Sequence, residues 1–325
     1  MTLQPFLLTN MASSFDNQVD YYATYNVHIR CGPSALSGIE CCIERCISRG
    51  GIACLEEYLK KGGLLDSRYY DIAAEHGQIG CMQWLFDHGV APSDGEAYEA
   101  AAKFGHVKCL RWLVAYNFPV SNCAMYTAAA HGHLEALKFM SENDFPGKDF
   151  SCNGAARHGQ IHILQWMITN DFFKHEGAAE SAAENGHLAT LKLLVSADYP
   201  MPENVYWMAA SGGYIHILQW LLDQGVTPRG DAFVSAAMHG HLDTLKWLRA
   251  NDFEMDHEAV IFAISAGHID CADWLLANGF DKWDGAFNWA QLEPGQSHCI
   301  PLLIQYKFPH WENYVDHEDC EDREG

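Results

Sequence analysis

The stretch Ala128-Ala129-Ala130-His131-Gly132-His133-Leu134-Glu135-Ala136-Leu137-Lys138 decides the fold, because its pattern recurs along the chain at a nearly fixed interval. Its glycine has counterparts at Gly77, Gly105, Gly159, Gly186, Gly213, Gly240 and Gly267, spaced once by 28 residues and otherwise by 27. Degenerate copies around Gly50 and Gly295 extend the series to ten units between Cys31 and Trp311. Such self-similarity marks a solenoid, in which each unit buries its apolar surface only against its neighbours.

Each unit reads as two helices. Before the glycine stand Ala73-Ala74, Ala101-Ala102, Ala128-Ala129, Ala155-Ala156, Ala182-Ala183, Ala209-Ala210 and Ala236-Ala237. These are strong helix formers, small enough for a neighbouring helix to approach closely. Eleven residues ahead of their glycines, Asp66, Asp94, Ser121, Asp256 and Asp284 supply side-chain acceptors for a helix start. Helix A is therefore expected from that cap to just before the glycine, which ends it in a backbone conformation that glycine adopts readily. Helix B follows. Its clearest copy has Ile215, Ile217, Leu218, Trp220, Leu221 and Leu222 apolar, with His216, Gln219 and Asp223 forming one narrow polar stripe. A helix this apolar is buried on both flanks, as stacking provides. Thirteen residues past the glycine comes an apolar terminator, such as Phe118, Phe145, Phe172, Tyr199, Phe253, Phe280 or Phe308, followed by Pro119, Pro146, Pro200 and Pro309 in four units. Pro301 falls inside the expected helix B of the last unit, where Gln291-Leu292 replaces the alanine pair, as in a terminal cap.

The repeated Ala-Ala-x-x-Gly-His-x-x-x-Leu pattern resembles the second half of the ankyrin repeat over residues 31 to 311. Two features depart from that family's usual form. The period is shorter than about 33 residues, and the Thr-Pro-Leu-His signature is absent. Only two residues separate Phe118 from Ser121, too few for the β-hairpin finger of ordinary ankyrin repeats. The chain looks like the compact, Trp-rich ankyrin variant of large DNA viruses and some protists. The resemblance implies an all-α fold: one continuous solenoid of about ten helix-turn-helix repeats with reduced or absent hairpins. Residues 1–30 form an N-terminal tail or cap, 31–311 the solenoid and 312–325 an acidic C-terminal tail.

Most residues that could carry chemistry fall on columns of the repeat. His106, His133, His187, His241 and His268 directly follow the glycine, and the resemblance gives them hydrogen bonds to backbone groups of the turns. His76, His131, His158 and His239 directly precede it. Metal ligation by this second column needs further ligands from a neighbouring unit, so no metal and no cofactor are expected. Cys54, Cys81, Cys109, Cys271 and Cys299 sit four residues past the glycine, as small core residues of helix B. Cys31, Cys41, Cys42 and Cys46 form one loose cluster without the spacing of a zinc ribbon or finger. Trp84, Trp112, Trp166, Trp220, Trp247 and Trp274 occupy a column that also holds Phe139 and Leu193, which favours interior packing over an exposed ladder. No phosphate loop, nucleophile elbow or zinc-protease motif is present, and the chain reads as a non-enzyme.

Surface carries the remaining information. By resemblance, the two residues between the alanine pair and the glycine project onto the concave face of the array, and they vary while the framework does not. Partner-binding candidates are His76, Lys103, Phe104, His131, Arg157, His158, Glu184, Asn185, Met238 and His239. With 42 acidic against 20 basic residues, the net charge of −22 disfavours nucleic acid or an anionic membrane as the main partner. Met1 to Ser14 lacks the basic region of a secretory signal, no apolar run is long enough to span a bilayer, and no Asn-x-Ser/Thr acceptor occurs. Twelve cysteines in 325 residues without Cys-x-x-Cys suit a reducing compartment. The expectation is a cytoplasmic (host cytoplasmic, if viral) or nuclear monomer, not secreted, that holds a protein or peptide on its concave face. The alternatives are a metal-binding or enzymatic solenoid using the histidine column, and a structural component of a particle.

Overall fold

The computed structural model describes residues 43–92, 95–172, 174–175, 177–227, 232–280 and 299–308. Residues 1–30, Cys31, Cys41, Cys42, Asp94, Asp284, Gln291, Leu292 and the acidic tail lie outside the described residues. The chain forms two compact units, Met1–His175 and Glu176–Gly325. Their described residues form helices joined by turns, and no strand occurs among them.

In the first unit, helices A run over Arg68–Glu75, Glu96–Lys103, Ala124–Ala130 and Ser151–Arg157, each followed across its glycine by a helix B: Ile79–Asp87, Val107–Ala115, Leu134–Glu142 and Ile161–Thr169. The second unit repeats the scheme with Gly177–Glu184, Val205–Ser211, Ala232–Met238 and Glu258–Ser265 against Leu188–Ser196, Ile215–Asp223, Leu242–Ala250 and Ile269–Ala277. Within each unit successive helices A lie side by side, and their alanine pairs are fully buried at the contact. Methyl-sized side chains permit that approach.

The helix starts differ slightly from expectation. Asp66, Ser121 and Asp256 do accept backbone N–H groups, from Arg68, Cys123 and Glu258 at 2.9–3.0 Å, but they stand two or three residues ahead of the first helical residue. They close short side-chain turns that lead into the helix. Pro301 lies inside the last helix B, as expected. It occupies the first turn of Ile300–Gln305, where no intrahelical N–H is needed, and so does not interrupt that helix.

Both helices of a unit end in the same way. At the end of helix A, Gly77 has φ +70°, its N–H reaches the Ala74 carbonyl at 3.3 Å, and Gln78 N–H reaches Ala73 at 2.7 Å. Helix B ends at Asn117, φ +55°, with Phe118 N–H donating to Leu113 at 3.1 Å. Asp144, Asp171, Asp198, Asp252 and Lys307 repeat this left-handed turn, and Gly89, Gly225 and Gly279 supply it elsewhere. The turn aims the terminal aromatic inward. Phe118 then meets Tyr70 of the preceding unit edge-to-face at 4.8 Å, Phe145 meets Tyr98 at 5.3 Å, Phe253 meets Tyr206 at 5.3 Å, and Phe280 meets Phe233 at 5.0 Å. In these four repeats a ring pair thus locks helix B to helix A of the preceding repeat.

The repeat glycines answer two demands together. Gly105 and Gly132 are left-handed, at φ +70° and +78°, and a Cβ on either would stand 2.5 Å from His133 Nδ1 or 2.8 Å from Gln160 Oε1 of the next unit. Gly105→Ala is expected to lower the free energy of unfolding by about 1–3 kcal/mol, measured by denaturant titration. Burial also sets an alkaline limit. It pushes the thiols of Cys81 and Cys109 and the phenol of Tyr206 up to about 12, and raises the phenols of Tyr70 and Tyr98. These groups fold in their neutral forms, so their contribution is complete below the unfolded values, about 8.5 for a thiol and about 10 for a phenol. It is lost as pH rises toward the folded values. The denaturant midpoint should therefore fall steadily above about pH 9, accompanied by tyrosinate absorbance.

Candidate functional site

The last carbonyls of a helix have no partner inside it. Here the next unit supplies one. His106 Nε2–H donates to the Glu75 carbonyl at 2.9 Å, His133 to Lys103 at 2.8 Å, and His241 to Ser211 at 2.8 Å. Where glutamine replaces histidine the bond persists, from Gln78 to Ser48 and from Gln160 to Ala130, both at 3.1 Å. The acceptor is always the residue two before the preceding glycine. A second tie runs from His162 to the Gly132 carbonyl and from His216 to that of Gly186, both at 3.2 Å. The structural role given to the post-glycine histidines by the resemblance is thus seen directly at His106, His133 and His241.

The column before the glycine caps its own helix. His76, His131 and His239 donate from Nδ1 to the carbonyls of Ile72, Thr127 and Ser235 at 2.9–3.0 Å, and Asn185 Nδ2 does the same to Ser181 at 2.9 Å. The three histidines remain exposed. In the first unit the structure brings several predicted positions together. The His131 and His158 rings stack at 6.1 Å, and Lys103 Nζ lies 5.3 Å from the centre of the Phe104 ring, which is 41% exposed. Arg157 and His158 are exposed at the end of Ser151–Arg157. In the second unit Glu184 and His239 are exposed, whereas Asn185 and Met238 are half-buried. Sequence reasoning overlooked Trp207, Met208, Val234 and Phe262, half-buried on the same helix A faces. Their i, i+4 relation to Ser211, Met238 and Glu258 is the signal that would have found them.

The tryptophan column lies on the helix B side. Trp84 and Trp112 are buried, while Trp166, Trp220, Trp247 and Trp274 are half-buried. A long polar side chain from the preceding unit covers several of these rings. Gln83 Oε1 accepts from Trp112 Nε1 at 2.9 Å, Arg111 lies 4.7 Å over Phe139, and Lys192 lies 6.0 Å from Trp220. Interior packing holds fully for the first two tryptophans, and the others form a covered flank. In the cysteine column Cys81, Cys109, Cys271 and Cys299 are buried with raised thiol pKa, and Cys54 is half-buried. Cys46, of the loose cluster, is buried. Among the described residues no group of three or more His, Cys, Asp or Glu side chains is placed to hold a metal ion. No helix among them is long and apolar enough to cross a membrane.

The two histidine columns separate by substitution. His133→Ala removes the donor to the Lys103 carbonyl and should cost about 0.5–1.5 kcal/mol of stability. His133→Gln should retain most of it, because glutamine serves at Gln78 and Gln160. His131→Ala should cost less than His133→Ala, since its bond stays within one helix whereas that of His133 joins two repeats. Chemical denaturation of the three variants checks this order.

The repeated geometry has a match among known families. The family profile described as "Ankyrin repeats (3 copies)" matches residues 70–154 and 205–286, just over half of the chain. Among solved structures, the human ASB11 ankyrin repeat domain is similar at 13% identity and a TM-score of 0.40, over 48% of this chain and 83% of that one. No curated protein matches in sequence. With its repeat glycines, alanine pairs and inter-unit histidine bonds in the matched segments, the chain belongs to the ankyrin-repeat family.

Proposed function

We propose that this protein is a non-enzymatic scaffold, a cytoplasmic or nuclear monomer, that holds a protein or peptide on the concave helix A face of its array. Ankyrin repeats are, as a class, protein-interaction scaffolds. The observation that carries the finer reading is the division of labour around each repeat glycine. The residue after it is engaged with the neighbouring unit's backbone, at His106, His133 and His241. The residues just before it reach solvent and change from unit to unit, as at His76, Lys103-Phe104, His131, Arg157-His158 and His239. Phe104, with the Lys103 ammonium against its ring, and the stacked His131–His158 pair supply the large, partly rigid groups that dominate interface energies.

Affinity purification with mass spectrometry from native cells tests the proposal. The wild type is compared with a Phe104→Ser, His131→Ser, Arg157→Ser, His158→Ser variant that keeps its circular dichroism spectrum. A partner retained by the wild type and lost by the variant is expected. Recovery of the same partner by both would place binding elsewhere on the molecule and overturn the assignment.

A further inference from the structure

The helix A face of the second unit differs in chemistry from that of the first. Val205–Ser211 and Ala232–Met238 contain no Asp, Glu, Lys or Arg, although the chain has 62 such residues. In three successive helices the positions that escape full burial are Trp207, Met208 and Ser211, then Val234 and Met238, then Glu258, Phe262 and Ser265. They recur at i, i+4 on each helix, and the helices lie side by side, so the stripes adjoin. His239 continues the surface, its ring edge-on to Trp207 at 6.3 Å. The result is a run of adjoining half-buried Trp, Met, Val and Phe side chains, each partly open to solvent. Large apolar patches on soluble proteins mark interaction sites, and methionine-rich ones adapt to varied apolar partners.

Among the described residues, the helices A of this face and the turn ahead of the last carry one sign of charge. None of Gly177–Glu184, Val205–Ser211, Ala232–Met238 and Glu258–Ser265 carries a Lys or Arg. Glu184 and Glu258 are exposed on these helices, and Glu254 is exposed just ahead of the last. The described lysines and arginine of the helix pairs, Lys192, Lys246 and Arg249, belong to helices B. The net charge of −22 acts in the same direction at long range.

We infer that the helix A face of the second unit, centred on Trp207, Val234 and Met238, binds a basic amphipathic segment of a partner protein, its apolar side on this face and its Lys or Arg residues toward the glutamate margins. This deepens the scaffold reading by naming the chemistry of the partner. Long aliphatic and aromatic side chains at helical spacing are what such a face accommodates, and basic flanks are what its margins attract.

The test uses the full chain and a fluorescein-labelled peptide of about 18 residues, with Leu at i, i+3, i+4 and i+7 and Lys elsewhere, followed by anisotropy. Saturable binding is expected, at least about tenfold tighter than that of a Lys/Ser peptide of equal charge or a Leu/Glu peptide of equal pattern. A Val234→Gln, Met238→Gln double variant should weaken it by about tenfold or more, and Met238→Gln alone should move it in the same direction if the double variant fails to fold. The quadruple variant at Phe104, His131, Arg157 and His158 should bind the peptide as the wild type does. Absence of binding, equal binding of either control peptide, or indifference to the Gln substitutions would each overturn the inference. The native-cell partner experiment on the quadruple variant judges the scaffold reading separately, so the two can fail independently.

Discussion

The structure depends on a carbonyl that its own helix cannot satisfy. When helix A ends, the oxygen two residues before the glycine points out of the helix with no amide left to meet it, and the imidazole or carboxamide of the next unit closes that gap. The glycine makes the closure geometrically available, since its left-handed turn clears the space that the incoming His106, His133 or His241 ring occupies. Each unit is therefore incomplete until its successor is in place. The aromatic pairs between Tyr70 and Phe118 or Tyr206 and Phe253 make the same link through the core, so polar and apolar coupling run in parallel. Stability in such an array resides in the interfaces between neighbours as much as in the helices.

Much of this was legible in the sequence because the framework uses residues with narrow physical roles. A glycine every 27 residues, an alanine pair four residues ahead and a histidine behind leave little choice of architecture, and no hairpin fits between Phe118 and Ser121. The second left-handed turn was harder to see, since glycine, Asn117, Asp144 and Lys307 all fill it and their common backbone conformation shows only in φ. Pro301 was placed in the last helix B, but its seat in the first turn depends on where that helix begins, a boundary that local composition does not fix.

The apolar face of the second unit was illegible for a related reason. Phe233 and Phe262 are the same residue in similar company, yet Phe233 is buried and Phe262 reaches solvent. Counted from the repeat glycines Gly240 and Gly267, they stand seven and five residues ahead, on opposite sides of the boundary between the buried and exposed stripes of helix A. Hydrophobicity alone assigns both to the core. The half-buried tryptophans of helix B posed the converse problem, because cover by Gln83, Arg111 or Lys192 comes from another unit and leaves no local trace.

The same interaction that holds the array together explains how its surface can vary. The acceptor in the inter-unit bond is a backbone oxygen, which every residue carries. Glu75, Lys103, Ala130 and Ser211 serve equally well in that role, although their side chains share no charge, size or polarity. Had the framework relied on a side chain at this position, four such different residues could not occupy it. Because it relies on the main chain, the side chain at this position can change without altering the stack. Helices A that carry Lys103 and Arg157 in one unit and helices A without Lys or Arg in the other are thus both compatible with one repeat geometry. Side chains along helix A are thus free to differ from repeat to repeat, while the bonds of His106, His133 and His241 to the main chain keep the scaffold the same.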